Sequence, residues 1–174
     1  MPDRTRLSFA SADNRLVATL EADVVRTMTT CCAGTGRRET GGILIGNYDR
    51  PGRVASIVEA TRKPKDSLSG WFWFQRGTAG LKELLAERWK QGFYYLGEWH
   101  HHPGGSPEPS LPDVKAMSEI ASNPKYNCTN PILVILGGDP GGRFQLSVTA
   151  NPLSNVPIRL LQCEGLISVP GSSL

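Results

Sequence analysis

The sequence lacks the features that would assign it to several common classes. No apolar run approaches the roughly 18–20 residues that a membrane-spanning helix needs. The charged N-terminus, residues 1–6, is not followed by a continuous apolar segment, so we expect no signal peptide. The net charge is only +3, from 19 Lys and Arg against 16 Asp and Glu, and basic clusters are missing. We therefore expect neither a membrane nor a nucleic acid as partner.

Cysteine is scarce and wrongly spaced for the common metal and redox motifs. The four cysteines, Cys31, Cys32, Cys128 and Cys163, include no C-x-x-C pair, which excludes a zinc ribbon or a thioredoxin-type motif. Adjacent Cys31 and Cys32 cannot easily bridge each other, and they fall in a helical pattern that is typical of buried thiols. We expect a reduced, cytoplasmic protein.

Hydrophobic periodicity predicts a mixed α/β domain of the α+β type. Helical spacing predicts helices at about 14–32, at 78–91 and from Val114 to Ala121. Apolar and β-branched runs predict strands at 6–9, 43–48, 54–60, 71–74, 93–99, 131–136, 144–149 and 156–163, with a hairpin turn at 49–52. Hairpins and crossovers are mixed, so we expect a curved, mostly antiparallel sheet flanked by three helices. Residues 1–174 form one predicted domain, with a core at about 14–163 and a loose tail at 165–174.

The three histidines of the chain are adjacent, at positions 100–102. Side chains alternate across a strand, so His100 and His102 should project from one face and His101 from the other. Asp113 follows eleven residues after His102, at the start of the predicted third helix. Two neutral imidazoles and one carboxylate, with a fourth position for water, form the open arrangement of catalytic zinc. The pattern predicts one Zn²⁺ per chain with a bound water, whose pKa the ion would lower to about 7.

Each part of this pattern also has a purely structural interpretation. Three adjacent histidines can be an exposed surface cluster or an accidental metal-binding tract. Ser110-x-x-Asp113 before an apolar-periodic segment is a capping box, with Ser110 at the N-cap and Asp113 at N3. The capping role and the ligand role are compatible, because a residue held at a helix N-terminus is well oriented for a metal.

Glu39 is the candidate general base of such a site. It stands in Glu-Thr-Gly-Gly, just before the first hairpin strand, where a carboxylate could accept a proton from water and pass it to a leaving amine. An ordinary surface glutamate is the alternative. The pair Gly41-Gly42 suggests a close approach of backbones at this point.

The elements occur in the order Glu39, His100-x-His102-Pro103 and Ser110-x-x-Asp113. This set resembles the signature of the JAMM metalloproteases, the catalytic members of the MPN-domain family. The runs Glu-Thr-Gly-Gly-Ile-Leu-Ile-Gly at 39–46 and Tyr-Leu-Gly-Glu-Trp-His at 95–100 resemble the prokaryotic JAB branch. The second run is similar to the deubiquitinase-like deconjugating peptidases of bacterial anti-phage operons. The resemblance covers about 39–150 and implies the MPN/JAB fold, which is cytidine-deaminase-like.

The resemblance also implies a role for each residue: zinc binding for His100, His102 and Asp113, general acid/base catalysis for Glu39, and oxyanion stabilisation for Ser110. The implied activity is that of a zinc isopeptidase that cleaves the bond after the C-terminal tail of a ubiquitin-like modifier or a modifier-like conjugated protein. The implied partners are that modifier, its conjugates, and the activating-enzyme-like and conjugating-enzyme-like proteins of the same operon.

Two other functions stay open, and the substrate contacts are less defined than the metal site. The chain could trim a ubiquitin-like or sulfur-carrier precursor to expose its Gly-Gly end, or it could be a non-catalytic MPN binding module. Trp71, Trp73 and Arg76 are candidate substrate-binding residues, and the two tryptophans share a face if this run is a strand. The loops at 61–76 and 121–130 are candidates for ordering on substrate binding.

Overall fold

Short strands and three helices follow one another along the chain. The computed structural model describes residues 6–49, 52–70, 74–139, 144–153 and 156–163. The strands are β1 (Leu7–Ala10), β2 (Val17–Leu20), β3 (Thr40–Tyr48), β4 (Val54–Ala60), β5 (Leu68–Ser69), β6 (Phe74–Gln75), β7 (Tyr94–Pro103), β8 (Ile132–Gly138), β9 (Gln145–Ala150) and β10 (Ile158–Gln162). The helices are α1 (Ala22–Ala33), α2 (Leu81–Lys90) and α3 (Leu111–Ser122). Among the helices so described, none has the length and apolarity needed to cross a membrane.

Eight of the strands close into a barrel in the order β1-β10-β9-β8-β7-β3-β4-β2. The pairs β2–β4 and β7–β8 are parallel and the other six pairs are antiparallel. The predicted mixed α/β class, with three helices and a mostly antiparallel sheet, is confirmed. The predicted curved sheet is corrected in one respect: it closes into a barrel. The hairpin β1–β2 pairs with β10 on one side and with β4 on the other, so it joins the two edges.

The helix predicted at about 14–32 is wrong in its first part, because residues 17–20 form β2. All four residues of β2 are buried, and their backbone pairs with both β1 and β4. The chain breaks at Glu21, whose extended backbone (φ −65°, ψ 151°) is the N-cap of α1. The apolar residues of β2 continue the helical spacing of α1, so periodicity alone predicts a helix there. Pairing with β1 and β4 makes this segment a strand instead.

The sheet carries one apolar core on each face. Leu96 and Val134 pack with the buried face of α1, whereas Leu133 and Ile135 pack with α2 and α3. Successive residues of β8 therefore face opposite cores, which explains why its sequence is apolar without alternation. The active-site side chains described below lie on the face that α3 covers.

The remaining elements agree with the sequence-based expectation, with shifts at their ends, except that no strand was predicted at β5. The β3–β4 hairpin is present, and α2 lies within the predicted 78–91. β7 continues past the predicted end at residue 99, through the histidines to Pro103. Of the strand predicted at 71–74, Phe74 belongs to β6. Residues 71–73 lie outside the described residues, as does the tail predicted at 165–174.

Candidate active site

The three histidines lie inside the sheet. β7 pairs with β3 on one side, where His100 is opposite Gly41, and with β8 on the other. His100 is 6% exposed and His101 is fully buried. The interpretation of this run as an exposed surface cluster is therefore wrong. His101 points away from the other two, towards the carbonyl of Gly138 (3.2 Å from Nε2) and the ring of Phe144, as strand alternation predicts.

His100 lies between two carboxylates. Its Nδ1 is 2.9 Å from Oδ1 of Asp113, and its Nε2 is 3.4 Å from Oε2 of Glu98. Burial alone would lower the pKa of this imidazole, but the hydrogen bonds and charges of the two carboxylates outweigh burial and raise it to about 9.

His102 is held in one tautomer by the loop that follows β7. Its Nδ1 lies 3.1 Å from the carbonyl oxygen of Ser106, and a carbonyl can only accept, so Nδ1 carries the hydrogen. In the neutral ring Nε2 is then unprotonated, and it faces Oδ2 of Asp113 at 3.6 Å. The loop itself is fixed by paired backbone hydrogen bonds, from the amide of Gly104 to Gly138 and from the amide of Gly138 to Gly105.

Asp113 is held at the N-terminus of α3 by the predicted capping box, which is confirmed. The Ser110 hydroxyl donates to Oδ2 of Asp113 (2.6 Å), as does the Ser110 amide (2.8 Å). The Asp113 amide donates back to the Ser110 hydroxyl oxygen (3.3 Å). Burial opposes ionisation, but the hydrogen bonds from His100 and Ser110 lower the pKa of Asp113 to about 2. The hydroxyl hydrogen of Ser110 is thus directed at Asp113.

Glu39 stands directly before β3, and its amide donates to the carbonyl of Gly70 (3.0 Å). Burial raises the pKa of the half-buried Glu39 carboxyl; His102 and His100 oppose this shift, and Asp113 adds to it. A cavity of about 370 Å³ is lined by Glu39, Phe74, His102, Ser110 and Asp113, among others. The structure therefore brings the predicted base to the same cavity as two of the three predicted ligands, with His100 behind Asp113.

Gly41 permits the close contact between β3 and the histidine strand. A Cβ at Gly41 would lie 2.3 Å from the Trp99 carbonyl oxygen and 2.9 Å from the His100 ring. It would also lie 2.9 Å from the Phe74 ring, which packs edge-on against His100 with centroids 5.5 Å apart. The close approach predicted from Gly41-Gly42 is confirmed at this residue.

The two imidazoles and the Asp113 carboxylate are donors of the kind that zinc binds. As they stand, the His100 imidazole contacts Asp113 by a direct hydrogen bond. Among the described residues, no group of three or more His, Cys, Asp or Glu side chains is arranged as it stands to hold a metal ion. Ligands bonded tetrahedrally to zinc lie roughly 3.4 Å apart. The His102–Asp113 distance of 3.6 Å is close to this value, whereas the His100–Asp113 contact of 2.9 Å is shorter. A bound ion would replace that one hydrogen bond.

Glu98 is a site residue that was not predicted from the sequence. It lies two residues before His100, on the same face of β7, and is 5% exposed. The signal was a charged residue within an otherwise buried strand, where charges are rare unless paired. Its partner is Arg76, whose Nε donates to Oε1 at 2.7 Å.

Of the three predicted substrate-binding residues, the structure describes only Arg76. Trp71 and Trp73 are outside the described residues. The Arg76 side chain is only 11% exposed and is engaged by Glu98. Arg76 lines a second cavity of about 550 Å³, with Tyr95 and Tyr126, and not the cavity that contains His102.

Comparison with known proteins matches the chain to a family model, to named relatives and to a solved structure. Residues 21–148 match the model of a family described as prokaryotic homologues of the JAB domain. A protein of Enterobacter hormaechei subsp. hoffmannii named CD-NTase/cGAS isopeptidase is 48% identical over 154 residues, covering 88% of this chain and 86% of that protein. A protein of the same name from Pseudomonas aeruginosa is 28% identical over 135 residues, covering 75% and 83%. A Desulfitobacterium hafniense protein with a known solution structure has the same fold (TM-score 0.57, 15% identity), covering 82% of this chain and 87% of that one.

Proposed function

The chain belongs to the family of prokaryotic JAB-domain proteins, and from this premise we propose that it is a zinc-dependent isopeptidase. The observation that carries the proposal is the single cavity in which Glu39 stands beside His102, Asp113 and Ser110. The cavity thus holds a half-buried carboxylate, an imidazole and a second carboxylate, and a second imidazole, that of His100, contacts the second carboxylate. These groups suit metal-assisted hydrolysis of an amide.

The names of the relatives indicate a substrate class. Two of them bear the name CD-NTase/cGAS isopeptidase. We propose that this chain likewise acts on a CD-NTase-class protein, joined through its C-terminal tail to the amine of a target, and that it reverses this conjugation in anti-phage defence. Hydrolysis would restore the carboxylate of the tail and the free amine of the target.

The residues divide the chemistry between them. Zinc held by His100, His102 and Asp113 would supply the Lewis acid that polarises the scissile carbonyl and activates water. Glu39 accepts a proton from the attacking water and delivers it to the leaving amine; the raised pKa of its carboxyl suits both transfers.

The other side chains of the site keep these groups in place. The Ser106 carbonyl holds the His102 ring, and the capping box holds Asp113. Ser110 would have to turn its hydroxyl hydrogen from Asp113 towards the substrate to stabilise an oxyanion. Its contacts support the positioning of Asp113 more directly.

The test uses purified protein, a CD-NTase-class protein joined by an isopeptide bond to a lysine, and a precursor with a C-terminal extension. We expect about one zinc per chain, release of the conjugated protein, loss of cleavage with a chelator, and its return with zinc. Cleavage that a chelator leaves unchanged would contradict the zinc mechanism. Trimming of the precursor alone would instead identify a processing protease, and a zinc-free chain that cleaves neither substrate would be a binding module.

A further inference from the structure

A buried ion pair lies directly behind His100. Arg76 Nε and Glu98 Oε1 are 2.7 Å apart, and the two side chains are 11% and 7% exposed. Arg76 is itself fixed by a hydrogen bond to the carbonyl of Gly77 (3.0 Å) and by a longer contact with the Tyr126 hydroxyl (3.4 Å). The pair therefore has a defined orientation.

The ion pair leaves one carboxylate oxygen for His100. Oε1 of Glu98 is taken by Arg76, and the Tyr95 hydroxyl lies 3.4 Å from the same atom. Oε2 faces Nε2 of His100, on the side of the ring opposite to Asp113. The imidazole is thus contacted at both nitrogens, by carboxylates that come from different elements, β7 and α3.

Stability alone is a weak explanation for such a pair. Desolvating two charges is expensive, and well-packed neutral side chains of similar volume are often equally stabilising or better. In metal sites, by contrast, the second nitrogen of a ligating histidine commonly donates to a carboxylate, which fixes the tautomer and the ring orientation.

We infer that Glu98, whose other carboxylate oxygen is taken by Arg76, is a positioning residue that accepts the Nε2 hydrogen of His100 and so assigns Nδ1, the nitrogen beside Asp113, to the metal. This inference rests on the proposed zinc site. In this arrangement Arg76 is the ion-pair partner of Glu98, whereas the sequence had suggested a contact with substrate.

The test compares two double variants that both remove the buried charge pair. Arg76→Met/Glu98→Gln keeps an oxygen that can accept from His100, and the absence of Arg76 leaves that oxygen free to do so. Arg76→Met/Glu98→Met has nearly the same shape but no such oxygen. The dissociation constant for zinc, measured by competition with a chromophoric chelator, should stay within about threefold of the wild type in the first and weaken by about 10- to 100-fold in the second.

Two controls separate positioning from folding. Arg88→Met/Glu59→Gln removes a second Arg–Glu pair, 2.6 Å long, which joins α2 to β4 and does not contact the histidines; its zinc affinity should match that of the wild type. Thermal unfolding of the metal-free proteins checks that the two Arg76 variants are equally folded. Arg76→Met/Glu98→Leu replaces the Met version if that version does not fold.

The outcomes are distinct. Equal zinc affinities in the Gln and Met versions would overturn the role of Glu98 while leaving a zinc-binding wild type, and with it the proposed function, intact. A wild type that binds no zinc would instead refute the proposed function.

Discussion

At the residue scale, the carboxylates around the histidines differ in what surrounds them. Burial raises the pKa of Glu39, and the opposing effect of the two histidines is too small to cancel this increase. The pKa values of Asp113 and Glu98 are lowered in spite of burial, by the hydrogen bond from His100 together with Ser110 in one case and Arg76 in the other. Groups whose surroundings separate their pKa values in this way are suited to different roles. Glu39 is suited to proton transfer, and the other two are suited to stay ionised.

Glu39→Gln provides the first test at this scale. The amide has the size of the carboxyl but cannot take a proton from water, so kcat should fall by about 10²- to 10⁴-fold. Zinc content should stay at the wild-type value, because Glu39 is not among the proposed ligands. Steady-state cleavage of the conjugate and metal analysis of the same sample give the two numbers. Full activity in this variant would rule out Glu39 as the base.

The sequence predicted which residues meet at the site better than it predicted their neighbours. Strand alternation placed His100 and His102 on one face, and the capping pattern placed Asp113 at a helix start. Glu98 and Phe74 were missed as neighbours of His100. Spacing shows which side chains share a face, but it does not show what another part of the chain brings against that face.

At the scale of elements, the N-terminus of α3 joins helix stability to the proposed metal site. Ser110 and Asp113 each satisfy a backbone amide of the other, and Asp113 also reaches His100. α3, which follows the loop after β7, therefore also directs the Asp113 carboxylate towards His100 of β7.

Ser110→Ala tests this coupling. Loss of the cap should lower the free energy of unfolding of the metal-free protein by about 1 kcal/mol, and zinc affinity should weaken because Asp113 loses its shortest hydrogen bond. Ser110→Thr keeps a hydroxyl and serves as the matched control, with both quantities near those of the wild type. Urea denaturation and zinc competition measure the two effects. A stability unchanged by the alanine substitution would mean that the cap contributes little.

Element boundaries were predicted well where one periodicity was decisive and poorly at β2. The predicted helix ran through Val17–Leu20 because the apolar residues there continue the helical spacing of α1. Their strand conformation depends on β1 and β4, and β4 lies more than thirty residues further along the chain. Short-range periodicity contains no information about that pairing.

At the scale of the whole molecule, the closed barrel links the site to the rest of the fold. β7 carries the histidines, and β3 begins directly after Glu39. These two strands are neighbours within the closed ring of strands. A ligand that binds only the folded site should therefore stabilise the barrel as a whole, by mass action.

Thermal unfolding with and without zinc tests this expectation. At a free zinc concentration about 100 times its dissociation constant, the folded state should gain about 2.7 kcal/mol, which for a chain of this size corresponds to a rise in Tm of several degrees. His102→Ala should lose most of that rise because it removes one proposed ligand. The measurement is differential scanning calorimetry at matched protein concentration. An equal rise in both proteins would place the zinc elsewhere on the chain.

The sequence by itself determined the local features of this protein: the alternation that separates His101 from its neighbours, the capping box of α3, and the glycine that allows β3 to approach β7. Each depends on residues a few positions apart, or on the absence of one side chain. Only the tertiary structure decided the closure of the barrel, the strand conformation of β2 and the Arg76–Glu98 pair behind His100. These features arise from contacts between residues that are distant in sequence, and the burial that favours them exists only once the chain has folded.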